Sequence, residues 1–361
     1  MVPLTRAGKS TGALTVPQEF TRERSAITVT HELLTIGRIS VDIYPNDIGV
    51  GLEDVTSFGK YLGGSPSNVA VAAARHGRRT GVITRTGDDP FGEYLHRELR
   101  KFNVDDSFVS PVPGLQTPAT FCAIRPPHDF PLYFYGRFPT APDLQIAAGE
   151  LDLGAIRSAG IFWSTVTGLC QEPSRGAHLA AHEARPRTGL SEGQFTILDL
   201  DYRPMFWASE DEAREQVAKV LPHVTVAIGN DKECAVAVGE GTPDEQADRL
   251  LAAGVEIAVV KLGPEGVMAK TRSERVVSAP VPVETVNGLG AGDSFGGAFC
   301  HGLLSGWPLA RVLDYANAAG AIVASRLSCA DAMPTPEEVT SLLIERGRLT
   351  PADAVSEGAT R

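Results

Sequence analysis

Six short apolar runs alternate with stretches of helical period between residues 33 and 263: LLTIG (33–37), TGVITR (80–85), AGIFWSTV (159–166), FTILDLD (195–201), HVTVAIG (223–229) and VEIAVVKLG (255–263). All are rich in β-branched or aromatic residues. Strands separated by helix-length segments cannot pair as hairpins, so the pattern predicts an α/β architecture: a mostly parallel central sheet covered by helices on both faces. Between the runs, PSNVAVAAARHG predicts a helix capped by Ser65, with Pro66 in its first position and Gly77 as its stop. PFGEYLHRELRKF repeats the design, with Pro90 first and Phe91, Tyr94, Leu95 and Leu99 on one face. Residues 43–62 and 116–137 break the rhythm with strand-like pieces and predict a small β-sheet lid inserted into the body. The chain then divides into a polar arm over 1–30, one body over 31–346 and a loose tail over 347–361. After about residue 290 the pattern is helical.

Composition narrows the partners. Lys and Arg number 33 against 44 Asp and Glu, a net charge of -11, with no basic run, which disfavours nucleic acid. No apolar stretch is long enough for a membrane helix. Cys122, Cys170, Cys234, Cys300 and Cys329 are scattered, with no paired spacing for zinc or a redox dithiol, and the first residues lack a secretory core; a cytoplasmic protein with reduced thiols is expected.

The stretch VNGLGAGDSFGGAFCHGLL (286–304) carries the chemistry. Gly288, Gly290 and Gly292 bare the backbone so that N–H groups can approach an anion, and the helix opening near Asp293 adds its positive end. Asp293 then lies beside an incoming phosphoryl group, placed to take a hydroxyl proton. On spacing alone, a helix cap explains the same residue equally well.

GLGAGD followed by SFGGA resembles the C-terminal signature of the ribokinase-like (PfkB) carbohydrate kinases. GGSPSNVAVAAARHG (63–77) resembles their upstream substrate signature. The likeness covers roughly residues 31–346, including GDDPFG, DLDYRP, NDKE and KLGPEG. It implies a three-layer α/β/α sandwich with a small β lid, MgATP as phosphoryl donor, a sugar hydroxyl as acceptor, and a homodimer. Asp293 becomes the base, and Gly290, Ala291 and Gly292 with Asp293 supply the anion hole. Asp42, Gly63, Gly64 and Asn68 would hold the sugar; Asn68 as an ordinary helix residue is the alternative. Asn230 and Glu233 would support Mg2+ through water, although a capped helix start explains the same letters. Lys261, Gly263, Gly266 and Asn317 resemble the ATP-binding positions, and each could equally be structural.

Within the family, TIGRISVDIYP, FPLYFYGRFPTAPDLQI and LDLDYRPMFW are most similar to the branch acting on 5-dehydro-2-deoxy-D-gluconate, a sugar acid of myo-inositol breakdown, and imply its 6-phosphate as product. Kinases of 2-keto-3-deoxygluconate, fructose or ribose are the alternatives within the family, and a non-catalytic sugar-binding regulator is the alternative outside it. A carboxylate substrate calls for arginine, and Arg137 or Arg203 could supply it; Tyr133, Tyr135 and Arg137 alternate on one strand face as in related acid kinases. For Arg137 a charged edge strand is an equal alternative. Asn287 stands where many relatives carry an Asp that helps hold a monovalent cation, so the resemblance leaves potassium activation open. Asp201 likewise replaces a common Asn.

Three patterns are decoys. GKST (8–11) lacks the first glycine and preceding strand of a P-loop. The glycines of 288–292 open no βαβ unit with a downstream acidic residue, which argues against a dinucleotide fold. His178 and His182 have metal spacing without the Glu of a zinc protease, and are expected on a solvated helix face.

Overall fold

The computed structural model describes residues 31–187 and 189–350; the arm, the GKST stretch and residues 351–361 lie outside the described residues. Among the described residues the strands are β1 (Leu33–Ile36), β2 (Ser40–Pro45), β3 (Phe58–Gly63), β4 (Thr80–Gly87), β5 (Val104–Asp105), β6 (Val109–Val112), β7 (Ala119–Cys122), β8 (Leu132–Tyr135), β9 (Ile161–Thr165), β10 (Phe195–Asp199), β11 (Val226–Asn230), β12 (Ile257–Lys261), β13 (Val267–Lys270) and β14 (Arg275–Ser278). All six apolar runs are strands of one sheet, ordered β14-β13-β12-β11-β10-β9-β1-β4-β5, with β6 also on β4. Its pairings are parallel except for the β12–β13 and β13–β14 hairpins at one edge.

From β1 the chain moves first to β4 on one side and later to β9 on the other. The direction of strand addition therefore reverses at β1, and the crevice at the carboxyl ends of β1 and β9 is where an open α/β sheet can admit a ligand. Over that crevice stands a second sheet, ordered β3-β2-β7-β8, built from the two segments that broke the alternation.

The helix Ser65–Arg75 packs against the helix Ala291–Leu304, and closely: a Cβ on Gly297 would lie 2.3 Å from the Ala72 methyl. This packing brings together two motifs about 220 residues apart in sequence. Trp163, Phe295 and Phe299 fill the core between these helices and the sheet.

Some local expectations fail. The first helix is capped by Gly64, not Ser65, because the chain enters from β3 through a left-handed turn that only glycine adopts without strain. In the helix Pro90–Lys101, Leu95 and Leu99 are buried, but Phe91 is 43% exposed; the buried residue of that first turn is Gly92, packed on the Gly87 carbonyl. His178 and His182 lie in the core, not on a solvated face. His178 Nδ1 meets the Ser174 carbonyl at 2.9 Å and His182 Nε2 meets Ser164 Oγ at 2.7 Å. All five cysteines are unpaired, and among the described residues no helix is long and apolar enough to cross a membrane.

Candidate active site

A cavity of about 370 Å³ lies between the two sheets, at the carboxyl ends of β1, β10, β11 and β12. Its floor is the start of the helix Ala291–Leu304. Gly290 caps that helix at φ +79, with Cys329 so close that a Cβ would stand 2.6 Å from its Sγ. The first bond inward runs from Ser294 N–H to the Gly290 carbonyl at 2.9 Å, so the N–H groups of Ala291, Gly292 and Asp293 have no acceptor within the helix. Gly290, Gly292 and Asp293 line the cavity. Lys261 adds a cation here, its Nζ 3.5 Å from where a Gly292 Cβ would be. Bare donors, a helix dipole and an ammonium thus meet at one point, the setting an anion requires.

Asp293 sits on the first turn of this helix, and its Oδ2 accepts from Asn68 Nδ2 at 2.8 Å. Burial holds its pKa above the ordinary carboxylate value, against the lowering effect of the Asn68 bond. Asn68 is 3% exposed, and its Oδ1 is buried without a protein partner. Asp42, on β2, accepts from Ser40 Oγ at 2.9 Å and Tyr44 OH at 2.8 Å, and burial raises its pKa to about 6. Gly63 leaves room for that carboxylate: a Cβ there would fall 1.9 Å from Asp42 Oδ1. Gly64 lines the cavity and packs on the Arg38 carbonyl.

At the other end, Asn230 and Glu233 form a capping box, with Asn230 Oδ1 accepting from Glu233 N–H at 2.9 Å and Glu233 Oε2 from Asn230 N–H at 2.8 Å. Both still line the cavity, and Glu233 also lies 3.7 Å from Arg203 and 3.9 Å from Lys261. Asp201 is bonded by Arg38 and, at 2.7 Å, by Arg203, and the two guanidinium groups keep its carboxyl ionised despite burial. Asp199 is pushed upward by burial and by its acidic neighbours Asp201, Glu233 and Asp293.

Six candidates fall outside the cavity lining, among them Gly63, which packs behind Asp42. Tyr135 is 60% exposed because β8 turns its other face inward: Leu132 and Phe134 line the cavity, and the period of two sends Tyr133 and Tyr135 outward. Arg137, beyond the strand end, is neither a carboxylate ligand nor an edge charge; it is buried in a two-armed bond to Asp143 at 2.9 and 3.0 Å. Gly266 serves the β12–β13 turn, with φ +95 and the Ser278 carbonyl 2.1 Å from a Cβ position. Asn317 ties its helix to the Ala279 carbonyl at 2.7 Å. Ala291 contributes its place in the helix start, not the wall, while Gly263 does line the cavity. Asn287, with 0% exposure, ties the glycine loop to the segment after the helix Leu309–Ala324, accepting from Leu289 N–H and donating to the Leu327 carbonyl.

Sequence reasoning missed Arg38, Tyr44, Asp199 and Cys329 in the wall. Arg38 and Asp199 had a usable signal, since each stands at the carboxyl end of a parallel strand. Cys329 had none, being distant in sequence from the Tyr44 and Gly290 it meets at the cavity.

The sequence of residues 30–336 matches the model of the pfkB family carbohydrate kinases. The chain belongs to that family. The kinase is 32% identical over 318 residues to the 5-dehydro-2-deoxygluconokinase of Geobacillus thermodenitrificans, covering 86% of this chain and 93% of the relative. It is 33% identical to the Geobacillus kaustophilus protein of the same name, with the same coverage. Among solved structures, a chain described as a ribokinase II from E. coli, in complex with ATP and Mg2+, superposes with a TM-score of 0.77 at 25% identity, over 88% of this chain and 99% of that one. The ribokinase-like α/β sandwich is therefore the fold, and phosphoryl transfer to a carbohydrate hydroxyl the reaction class.

Proposed function

We propose that the kinase transfers the γ-phosphoryl group of ATP to the terminal hydroxyl of 5-dehydro-2-deoxy-D-gluconate, giving its 6-phosphate and ADP. The observation that carries this reading is the meeting, in one cavity, of the open helix start, the Asp293 carboxylate and the polar groups of Asp42 and Asn68. The names of the two Geobacillus relatives support the choice of sugar acid.

Asn68 fixes one oxygen of Asp293 and leaves the other for the substrate proton. The hydroxyl oxygen attacks the γ-phosphorus as its proton passes to Asp293, and the bond from that phosphorus to the β–γ bridging oxygen breaks as ADP leaves. The N–H groups of residues 291–293 and Lys261 face the charge that grows on the phosphoryl oxygens, and being already oriented they need no reorganisation. The buried Oδ1 of Asn68 takes a sugar hydroxyl as its missing donor. Closure of the smaller sheet as a lid excludes water, which would otherwise accept the phosphoryl group.

The residues fit Mg2+ held through water and phosphate. Among the described residues no three acidic, histidine or cysteine side chains converge on one point, yet Asp199, Asn230 and Glu233 stand together at the nucleotide end, where acids crowd Asp199. When bound there with ATP, the ion neutralises phosphate charge. A homodimer fits the outer face of the smaller sheet, where Phe58, Tyr133 and Tyr135 are exposed.

The test is ADP release with 5-dehydro-2-deoxy-D-gluconate, 2-keto-3-deoxygluconate, fructose and ribose. The expected result is the highest kcat/KM with the first. A preference for the neutral sugars overturns the acid substrate, and calorimetric sugar binding without ADP release would instead make the protein a sugar-binding regulator.

A further inference from the structure

The three cations of the cavity wall occupy different environments. Arg203 and Lys261 both approach Glu233, at 3.7 and 3.9 Å, and belong to the nucleotide end. Arg38 stands between that end and the sugar end: it shares Asp201 with Arg203, while its own chain, on the link from β1 to β2, runs into Ser40 two residues on and Asp42 four residues on. Its backbone is fixed by Gly64 packed on its carbonyl. One nitrogen of its guanidinium is occupied: Nη1 donates to Thr167 Oγ1 at 2.8 Å and to Asp201. Nε and Nη2 donate to no described residue and are not among the sealed polar atoms, and the side chain, 10% accessible, lines the cavity.

An arginine anchored at Nη1 presents its Nε–Nη2 edge as an oriented two-pronged donor, a geometry that matches a carboxylate. Its positive charge is not spent on the anchor, because Asp201 is shared with Arg203. At the sugar end this charge faces Asp42 and Asp293, which by themselves would repel an anionic sugar. We propose that Arg38 binds the substrate carboxylate through its Nε–Nη2 edge and so determines the choice of a sugar acid over a neutral sugar. The proposal rests on the sugar-acid reading above and names the residue that enforces it. Arg137 cannot compete, since both its terminal nitrogens are held by Asp143 inside the protein.

The experiment compares kcat/KM for 5-dehydro-2-deoxy-D-gluconate with that for the neutral ketose in which its carboxylate is replaced by CH2OH, using wild type, Arg38→Met, Arg38→Lys and Arg203→Met. Wild type should favour the acid. Arg38→Met should lower the acid-to-neutral ratio by about 10- to 100-fold, the worth of a hydrogen-bonded charge, mainly through KM for the acid. Arg38→Lys keeps the charge and loses the fork, so its ratio should fall between the two, and it decides the matter alone if Arg38→Met does not fold. Arg203→Met leaves the Arg38 fork in place but hands the whole Asp201 charge to Arg38, so its ratio should fall by less than that of Arg38→Met. An unchanged ratio in the Arg38 variants, an equal loss of kcat on both sugars, or collapse of the ratio in Arg203→Met instead overturns the assignment and leaves the kinase reading standing. A wild-type enzyme with no preference for the acid overturns the sugar-acid reading and the role of Arg38 together.

Discussion

Asp293 and Asp42 face the same sugar end, and burial pushes both toward the neutral form, yet their surroundings suit them to different work. Asp42 accepts two hydroxyl donors from its own strand and is held as a fixed acceptor, whereas Asp293 accepts the Asn68 amide, feels the Ser65 hydroxyl and sits at the mouth of the anion-binding helix. Asp293→Asn should lower kcat by about 10²- to 10⁴-fold, the usual worth of a general base, while ATP affinity measured by calorimetry changes little. Unchanged turnover would remove Asp293 from the role. Asp42, titrating near pH 6, should give a sugar KM that rises as pH falls below about 6. Asp42→Asn should weaken sugar binding and abolish that dependence. Both residues were legible in the sequence from their motifs. Tyr44, which orients Asp42, was not, because a tyrosine in a strand gives no sign of where its hydroxyl ends.

At the scale of elements, the start of the helix Ala291–Leu304 rests on Gly290. Alanine there meets a left-handed φ of +79 and three Cys329 atoms within 3.1 Å. Gly290→Ala should cost about 1–3 kcal/mol of stability, read as a lower thermal midpoint, and reduce kcat because the N–H groups are displaced. The face of β8 is a further case. Strand period alone says that Leu132 and Phe134 share one side and Tyr133 and Tyr135 the other, but which side meets the cavity depends on the partner strand. Pairing of Thr120 with Phe134 decides it, since Thr120 also lines the cavity. Phe134→Ala should therefore raise the sugar KM roughly tenfold without altering ATP affinity, as expected when an apolar wall beside a ligand is cut back.

At the scale of the whole molecule, the buried histidines link stability to pH. Burial lowers His178 to about 4 and His182 to about 3, from an ordinary value of 6.5. The native state then binds fewer protons than the unfolded state between those limits, so their contribution grows as pH rises toward 6.5 and is lost on acidification. Asp42 acts in the opposite sense, its raised pKa costing stability as pH rises from about 4 to 6, with a smaller shift than the pair of histidines. Urea unfolding of His182→Gln against wild type should show the stability difference shift in favour of wild type as pH rises from 4 to 6.5; a constant difference would refute the linkage. The outer face of the smaller sheet gives the last expectation. On the proposed homodimer, Tyr133→Glu with Tyr135→Glu should shift the light-scattering mass from dimer to monomer, since two charges would have to be buried against a second copy, and a wild-type monomer would refute that dimer.

The sequence determined the strand runs, the helix pattern after residue 290, the glycine loop and the carboxylate that follows it, because these are set by local period, backbone freedom and spacing. The tertiary structure decided which groups share the cavity. The turn of strand order at β1 brought Arg38 to Asp201, 163 residues away, and helix packing brought Asn68 to Asp293, 225 residues away. It also withdrew Arg137 into a pair with Asp143 and placed two histidines in the core. An arginine reads the same whether its partner is a ligand or a buried carboxylate. Only the fold fixes which of the two comes within hydrogen-bonding distance.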